Sequence, residues 1–160
     1  MKKILMFTLI ICLLTGCKNT TLPETAEITY MRCEQQTETL ANKMSLEFEF
    51  HNNEIYFMRQ IQEIEYETAD KALNSQSVYD ASSSNINEQY DHVKAYTEVD
   101  GVYLYLITEH EINKFNEQEK DLIKLKTKEK DGFLKSFTDQ GYVCTPAQTI
   151  EKNKENEKEI

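Results

Sequence analysis

The side chains of this 160-residue chain that could do chemistry are four cysteines, three histidines and a series of closely spaced glutamates. The histidines do not assemble a site on the spacing alone. His110 stands in Glu109-His110-Glu111, which has the look of a zinc-protease helix, but the position four residues on is Lys114 and offers no second ligand. It reads instead as part of a solvated, charged strand end. His51 falls in a turn and His92 on the polar side of a helical stretch, so both read as surface residues. Glu63, Glu65 and Glu67 are i, i+2 neighbours that could contribute to a calcium site, although an exposed sheet face explains them as well. No Gly-x-Ser-x-Gly, Walker or glycine-rich phosphate loop occurs, and four glycines in all leave little material for one. The expectation is a non-enzymatic chain with no cofactor and no metal site.

One cysteine has a distinct context. Met1, Lys2 and Lys3 form a positive start, and Ile4 to Leu14 are apolar apart from Thr8. The apolar run is shorter than the roughly 20 residues that a membrane-crossing helix needs, so it reads as a cleavable signal rather than a permanent span. At its end, Leu14-Thr15-Gly16-Cys17 resembles the lipobox of bacterial lipoproteins. That resemblance implies cleavage between Gly16 and Cys17, a diacylglyceryl thioether of the palmitate type on Cys17, and an acylated new amino terminus. The expected location is the extracytoplasmic face of the cell membrane. An ordinary signal peptide that places a cysteine after Gly16 is the alternative. Two acyl chains anchor stably where one is marginal, since each buried methylene contributes about 0.8 kcal/mol.

Loss of residues 1–16 leaves 144 residues, enough for one domain. The net charge moves from −10 to −12 because Lys2 and Lys3 leave with the signal. So acidic a chain repels nucleic acid and anionic headgroups, which leaves membrane attachment to the lipid and excludes nucleic acid as a partner. Apart from Arg32 and Arg59 every basic residue is lysine, a bias that reads as codon usage rather than activity. Cys12 leaves with the signal and Cys17 takes the lipid, so Cys33 and Cys144 are the remaining pair. Two thiols in one exported domain usually form a disulfide, which would tie the first strand to the last; two buried reduced thiols are the alternative.

The elements that must position these groups follow from periodicity. Residues 17–26 read as a lipidated tether, 27–146 as a single α+β domain, and 147–160 as a disordered charged tail. Ile28 to Glu34 is β-rich. Met44, Leu46, Phe48 and Phe50 alternate with polar residues at the period of a half-buried strand. His51-Asn52-Asn53-Glu54 is a turn, and Ile55 to Tyr66 a long strand with apolar residues in both phases, which predicts a bulge or a sheet covered on both faces near Arg59. The three strands should form a meander. Ala69 to Ala81 has helical spacing that Ser82-Ser83-Ser84 interrupts, and Asn85 with Glu88 predicts a second helix start over Ile86, Tyr90 and Val93. Asp100-Gly101 then ends that helix or turns a hairpin; the helical period favours the first. Val102 to Thr108 is apolar in both phases and should be a central strand. Asn116 with Glu119 predicts another capped helix. A last helix opens at Asp131, buries Phe133, Leu134 and Phe137, and stops at Gly141 in the C′ position, before a short strand at Tyr142, Val143 and Cys144. Tyr30, Tyr56, Tyr66, Tyr103 and Tyr105 would make an aromatic patch if they shared a sheet face.

A lipobox, a meander, a helical stretch, a central strand and a helix closing on Gly141-Tyr142 together resemble the small YehR-like lipoproteins of Gram-positive bacteria. The resemblance covers most of residues 27 to 144 in layout and a few positions in residue identity, departs from the family over 69 to 93, and matches Cys33 and Cys144 to the paired cysteines of relatives ending in Gly-Tyr-x-Cys. It implies an α+β fold, an antiparallel sheet with helices packed on one face, and no assigned activity. The functional expectation is a monomeric, lipid-anchored interaction or envelope-associated domain that binds a protein or envelope partner. A small-ligand or peptide-binding lipoprotein is the alternative.

Overall fold

A computed structural model of the chain describes residues 26–35 and 42–150. The signal segment, Gly16, Cys17 and most of the tether lie outside the described residues. The fold is α+β: a six-stranded antiparallel sheet with helices against it. In chain order the elements are β1 (Ile28–Gln35), β2 (Asn42–His51), β3 (Glu54–Glu65), α1 (Ala69–Gln89), β4 (Val93–Asp100), β5 (Tyr103–His110), a 3-10 turn (Ile112–Lys114), α2 (Glu117–Leu122), α3 (Lys130–Thr138) and β6 (Tyr142–Ala147). The strand order is β4-β5-β3-β2-β1-β6. The meander β1-β2-β3 is present, and β5 is paired on both sides, by β3 and β4. None of the described helices is long and apolar enough to cross a membrane.

Turn chemistry sets the hairpins. Asn52 and Asn53 both take positive φ, 49° and 67°, the backbone of a two-residue I′ turn whose twist matches its strands and which asparagine tolerates. The β3 bulge lies at Tyr56 rather than near Arg59: Phe50 pairs with Ile55 but Glu49 with Phe57, so Tyr56 is the extra residue. Asp100 and Tyr103 face each other across a tight turn in which Gly101 has φ +59°. Tyr96 to Val99 is therefore strand, and the helix end expected at Asp100-Gly101 is overturned. Val93, Ala95, Thr97 and Val99 alternate with Lys94, Tyr96, Glu98 and Asp100, a period of two hidden by the helical spacing just before it.

The second helix start at Asn85 is also overturned, because α1 runs unbroken from its cap at Thr68 to Gln89. Serine is only mildly unfavourable inside a helix, and polar contacts to β4 hold this one in place. Gln76 Nε2 donates to Thr97 Oγ1 at 3.2 Å. The Asn87 amide donates to the Ala95 carbonyl at 2.9 Å and accepts from its N–H at 2.7 Å. Asn87 thus occupies both backbone hydrogen-bonding groups of Ala95 and blocks that position of the edge strand to an added strand. At the opposite edge, β6 carries Pro146, which has no N–H to donate.

Leu46, Phe48 and Phe50 of β2, Cys33 of β1 and Met58 of β3 point to one face and form the core with Phe133 of α3, Ile112 and Phe115. Phe48 packs edge-on to Phe133 at 5.2 Å between ring centres and against Phe137 at 5.2 Å. The helix α3 has its C-cap at Asp139, and Gly141 takes the left-handed backbone, φ +88°, two residues later, one position beyond the C′ site expected. The folded part also passes the expected boundary at Pro146, since β6 runs to Ala147 and Ile150 is buried. Ile150 is an apolar residue that the composition of its charged neighbours obscures; residues 151–160 lie outside the described residues.

Candidate functional site

The opposite face of the sheet carries no described helix, and its side chains are charged in a pattern that the strand register fixes. Lys94 of β4 faces Glu109 of β5, Glu109 faces Arg59 of β3, Arg59 faces Glu47 of β2, and Glu47 faces Arg32 of β1. One row across five strands therefore alternates cation and anion. The spacing is the consequence of the pleat, which turns every second residue to the same face, and opposite charges directly across strands attract.

Arg59 is the hub. Its guanidinium lies 3.6 Å from Glu47 and 3.8 Å from Glu109, with side-chain exposures of 12%, 13% and 10%. Glu47 is also approached by Arg32 at 3.4 Å, and Arg32 donates to Glu34 at 2.9 Å. Both arginines of the chain thus bracket one carboxylate. Tyr96 donates its hydroxyl proton to Glu109 at 3.0 Å. Burial first, and the Glu109 charge next, push the Tyr96 phenol up to about 12, so it stays a donor. Beside the row lies a concavity of about 640 Å³ bordered by Arg32, Lys43, Glu47, Arg59, Glu63 and Glu98. The surface offers fixed donors and acceptors to a polar partner.

The residues singled out from the sequence fall in several places. Cys33 and Cys144 are directly opposite in the β1–β6 register and joined in a disulfide, with Cα atoms 4.0 Å apart. Glu63 pairs with Lys43 at 3.0 Å and Glu67 with Lys71. Among the described residues no three histidine, cysteine or acidic side chains converge as metal ligands. The tyrosines do not make one patch: Tyr103 and Tyr105 lie 6.4 Å apart on β5, Tyr56 stacks on His51 at 3.8 Å at the far end of the sheet, and Tyr66 is a neighbour of Tyr79 on α1.

Of the three histidines expected at the surface, His110 is buried, while His51 and His92 stay partly exposed, each beside a carboxylate. His110 is 3% exposed, paired to Met58 and Val93 and edge-on to Phe115 at 6.0 Å. Neither ring nitrogen has a hydrogen-bond partner, and burial lowers its pKa to about 4. The strand end is roofed by Ile112 and Phe115, which no local pattern around Glu109-His110-Glu111 announces. His92 lies in the turn before β4, with its ring nitrogen 2.9 Å from Glu119. Glu119 is 1% exposed and also accepts from the His92 and Asn116 N–H groups, each at 2.9 Å. Burial pushes that carboxyl up, but these hydrogen bonds outweigh it and leave it below the ordinary value. The capping box expected at Asn116 and Glu119 is present, and it also clasps α2 to β4. His51 is 2.6 Å from Glu49.

The charged row was not among the expected sites. Its one sequence signal was the rarity of arginine, since Arg32 and Arg59 are the chain's two, and register alone brings both to Glu47.

A solved structure, the NMR structure of a protein from Streptococcus pneumoniae TIGR4, is similar to this chain with a TM-score of 0.51 at 10% identity, over 82% of this chain and 92% of that one. At that identity the likeness shows the fold alone. No protein-family model matches the chain, and no curated protein matches it.

Proposed function

We propose that the chain is an exported lipoprotein, cut between Gly16 and Cys17 and held by a lipid on Cys17 at the extracytoplasmic face of the cell membrane, whose domain is a non-catalytic interaction module. The single observation that carries this reading is the cross-sheet row Lys94-Glu109-Arg59-Glu47-Arg32. A rigid row of alternating charge suits recognition of a polar protein or envelope partner. The Cys33–Cys144 bond supports export, because structural disulfides persist in oxidising compartments. Peptide binding is the second reading, favoured by the 640 Å³ concavity, which reaches the usual size of a ligand site. The test is crosslinking on intact cells followed by mass spectrometry of the membrane-extracted protein. An acyl adduct on Cys17 and a crosslinked partner that is lost in Arg32→Glu are expected. A Cys17 without lipid, or a partner indifferent to Arg32→Glu, would sink the corresponding half of the reading.

A further inference from the structure

The net charge of −10 hides a local reversal. Residues 120–135 carry six lysines against Asp121, Glu129 and Asp131. Lys120 and Lys135 are ion-paired and Lys130 is held by Thr29 and the Phe50 ring, whereas Lys124, Lys126 and Lys128 have no ion-pair partner among the described residues. They alternate with apolar side chains: Leu122 is 43% exposed, and Ile123 and Leu125 are half-buried. With Phe133 and Phe137 of α3 these border a concavity of about 600 Å³. Lys124 takes a left-handed backbone, φ 51°, that turns the chain out of α2.

The position of this segment is the second observation. Ile55 N–H donates to the Lys128 carbonyl at 2.8 Å and Lys130 N–H to the Asn53 carbonyl at 2.9 Å. The same β2–β3 turn holds the point where the chain enters the domain, since Asn52 N–H donates to the Glu27 carbonyl at 3.0 Å and Glu27 N–H to Asn52 Oδ1 at 3.0 Å. Basic segment and entry point therefore share one pole of the molecule. From Cys17 to Glu27 the chain can span at most about 35 Å, so an anchor on Cys17 keeps that pole within about that distance of the bilayer.

We propose that the segment Leu122–Lys128 docks on an anionic bilayer surface, its lysines on the phosphate groups and the exposed Leu122 at the headgroup level, while Ile123 and Leu125 stay packed against the core. This rests on the lipid-anchor reading above. Charge complementarity selects the occupant: Lys124 and Lys126 are exposed and Lys128 half-exposed at the tethered pole, and each lysine at an anionic surface is worth a factor of roughly five in affinity. The acidic remainder of the chain is repelled by the same surface.

The test is lysine acetylation, read by mass spectrometry, on the lipidated full chain in vesicles of phosphatidylcholine alone or mixed with phosphatidylglycerol. Labelling of Lys124, Lys126 and Lys128 should slow severalfold in the anionic vesicles and recover in about 1 M salt, where screening is nearly complete. Lys43 and Lys71 should not change. Acylated protein whose labelling ignores vesicle composition overturns the docking and leaves the anchor standing. Unacylated protein whose three lysines are still protected by anionic vesicles supports the docking and overturns the anchor. Protection in neutral vesicles that grows with protein density makes the occupant a second copy and overturns the proposal.

Discussion

The two faces of the sheet solve the same problem with opposite chemistry. On the helix-covered face, Phe48, Phe50, Met58 and Cys33 are buried against Phe133, and dispersion with loss of hydrated apolar surface holds them. On the other face, Arg59 lies between the charges of Glu47 and Glu109 across strands, and Tyr96 donates to Glu109. The first arrangement is tolerant of partners because apolar contact is non-directional. The second depends on register, since a one-residue slip of β3 would take Arg59 off the face altogether. The difference separates what stabilises the domain from what could specify a partner.

The largest effect should come from the covered side, where the Cys33–Cys144 bond closes a separation of 111 residues. Chain entropy for a loop of that size amounts to about 4–5 kcal/mol. Urea unfolding of Cys33→Ala/Cys144→Ala against the oxidised protein should show a loss of that order with the circular dichroism of the folded state unchanged. An unaltered midpoint would mean that the β1–β6 pairing stands without the bond and that the covered face alone supplies the stability.

How far each face was legible in the sequence follows from how local its signals are. The Met44-to-Phe50 alternation is written in consecutive residues, as are the Asn52-Asn53 turn and the Asn116–Glu119 capping box, and all three are where periodicity and turn chemistry put them. Val93 to Asp100 was misread because Ile86, Tyr90 and Val93 continue a helical spacing across the true boundary, while the strand's own alternation lasts only eight residues. The charged row was illegible for a different reason. Its five members lie on five strands separated by up to 77 residues of chain, from Arg32 to Glu109, and only the full register joins them. His110 belongs with these cases, because the apolar roof over it comes from residues beyond the strand.

That histidine gives the intermediate effect and a way to sharpen the contrast, since it is a polar group on the apolar side. Its folded-state pKa is lowered from 6.5 to about 4 by burial. Between those values the unfolded chain binds the proton and the folded one does not, so stability is fully present above pH 6.5 and declines as pH falls towards 4. The shift corresponds to a loss of about 3 kcal/mol across the window. Glu119 acts in the same direction at lower pH, because its folded-state carboxyl is depressed and its contribution is lost as pH falls through that value. His110→Leu should flatten the stability profile between pH 6.5 and 4 in denaturant titrations and leave the steeper fall below it. A slope equal to that of the parent protein would show that the ring is protonated in the folded state and that the covered face is wetter than its packing implies.

The smallest effect belongs to the charged face, and it distinguishes a stabilising network from a recognition surface. Arg59→Met removes the cation between Glu47 and Glu109, which are 13% and 10% exposed at the side chain. Breaking a buried pair typically costs about 3–5 kcal/mol, but here the separations are 3.6 and 3.8 Å and Arg32 still approaches Glu47, so a loss of about 2 kcal/mol is expected. Replacing the set together, as Glu47→Leu/Arg59→Met/Glu109→Leu, removes the three least exposed charges of the row, leaves Arg32 paired with Glu34, and should restore most of that stability, because apolar side chains of similar volume often substitute for ion networks without penalty. Urea midpoints of the single and triple variants decide the energetic part, and capture of the crosslinked partner decides the functional part. A triple variant that folds as well as the parent but no longer takes a partner assigns the row to recognition. If the triple variant is less stable than Arg59→Met, the row is part of the structural core, and the division between the two faces drawn from their chemistry is wrong.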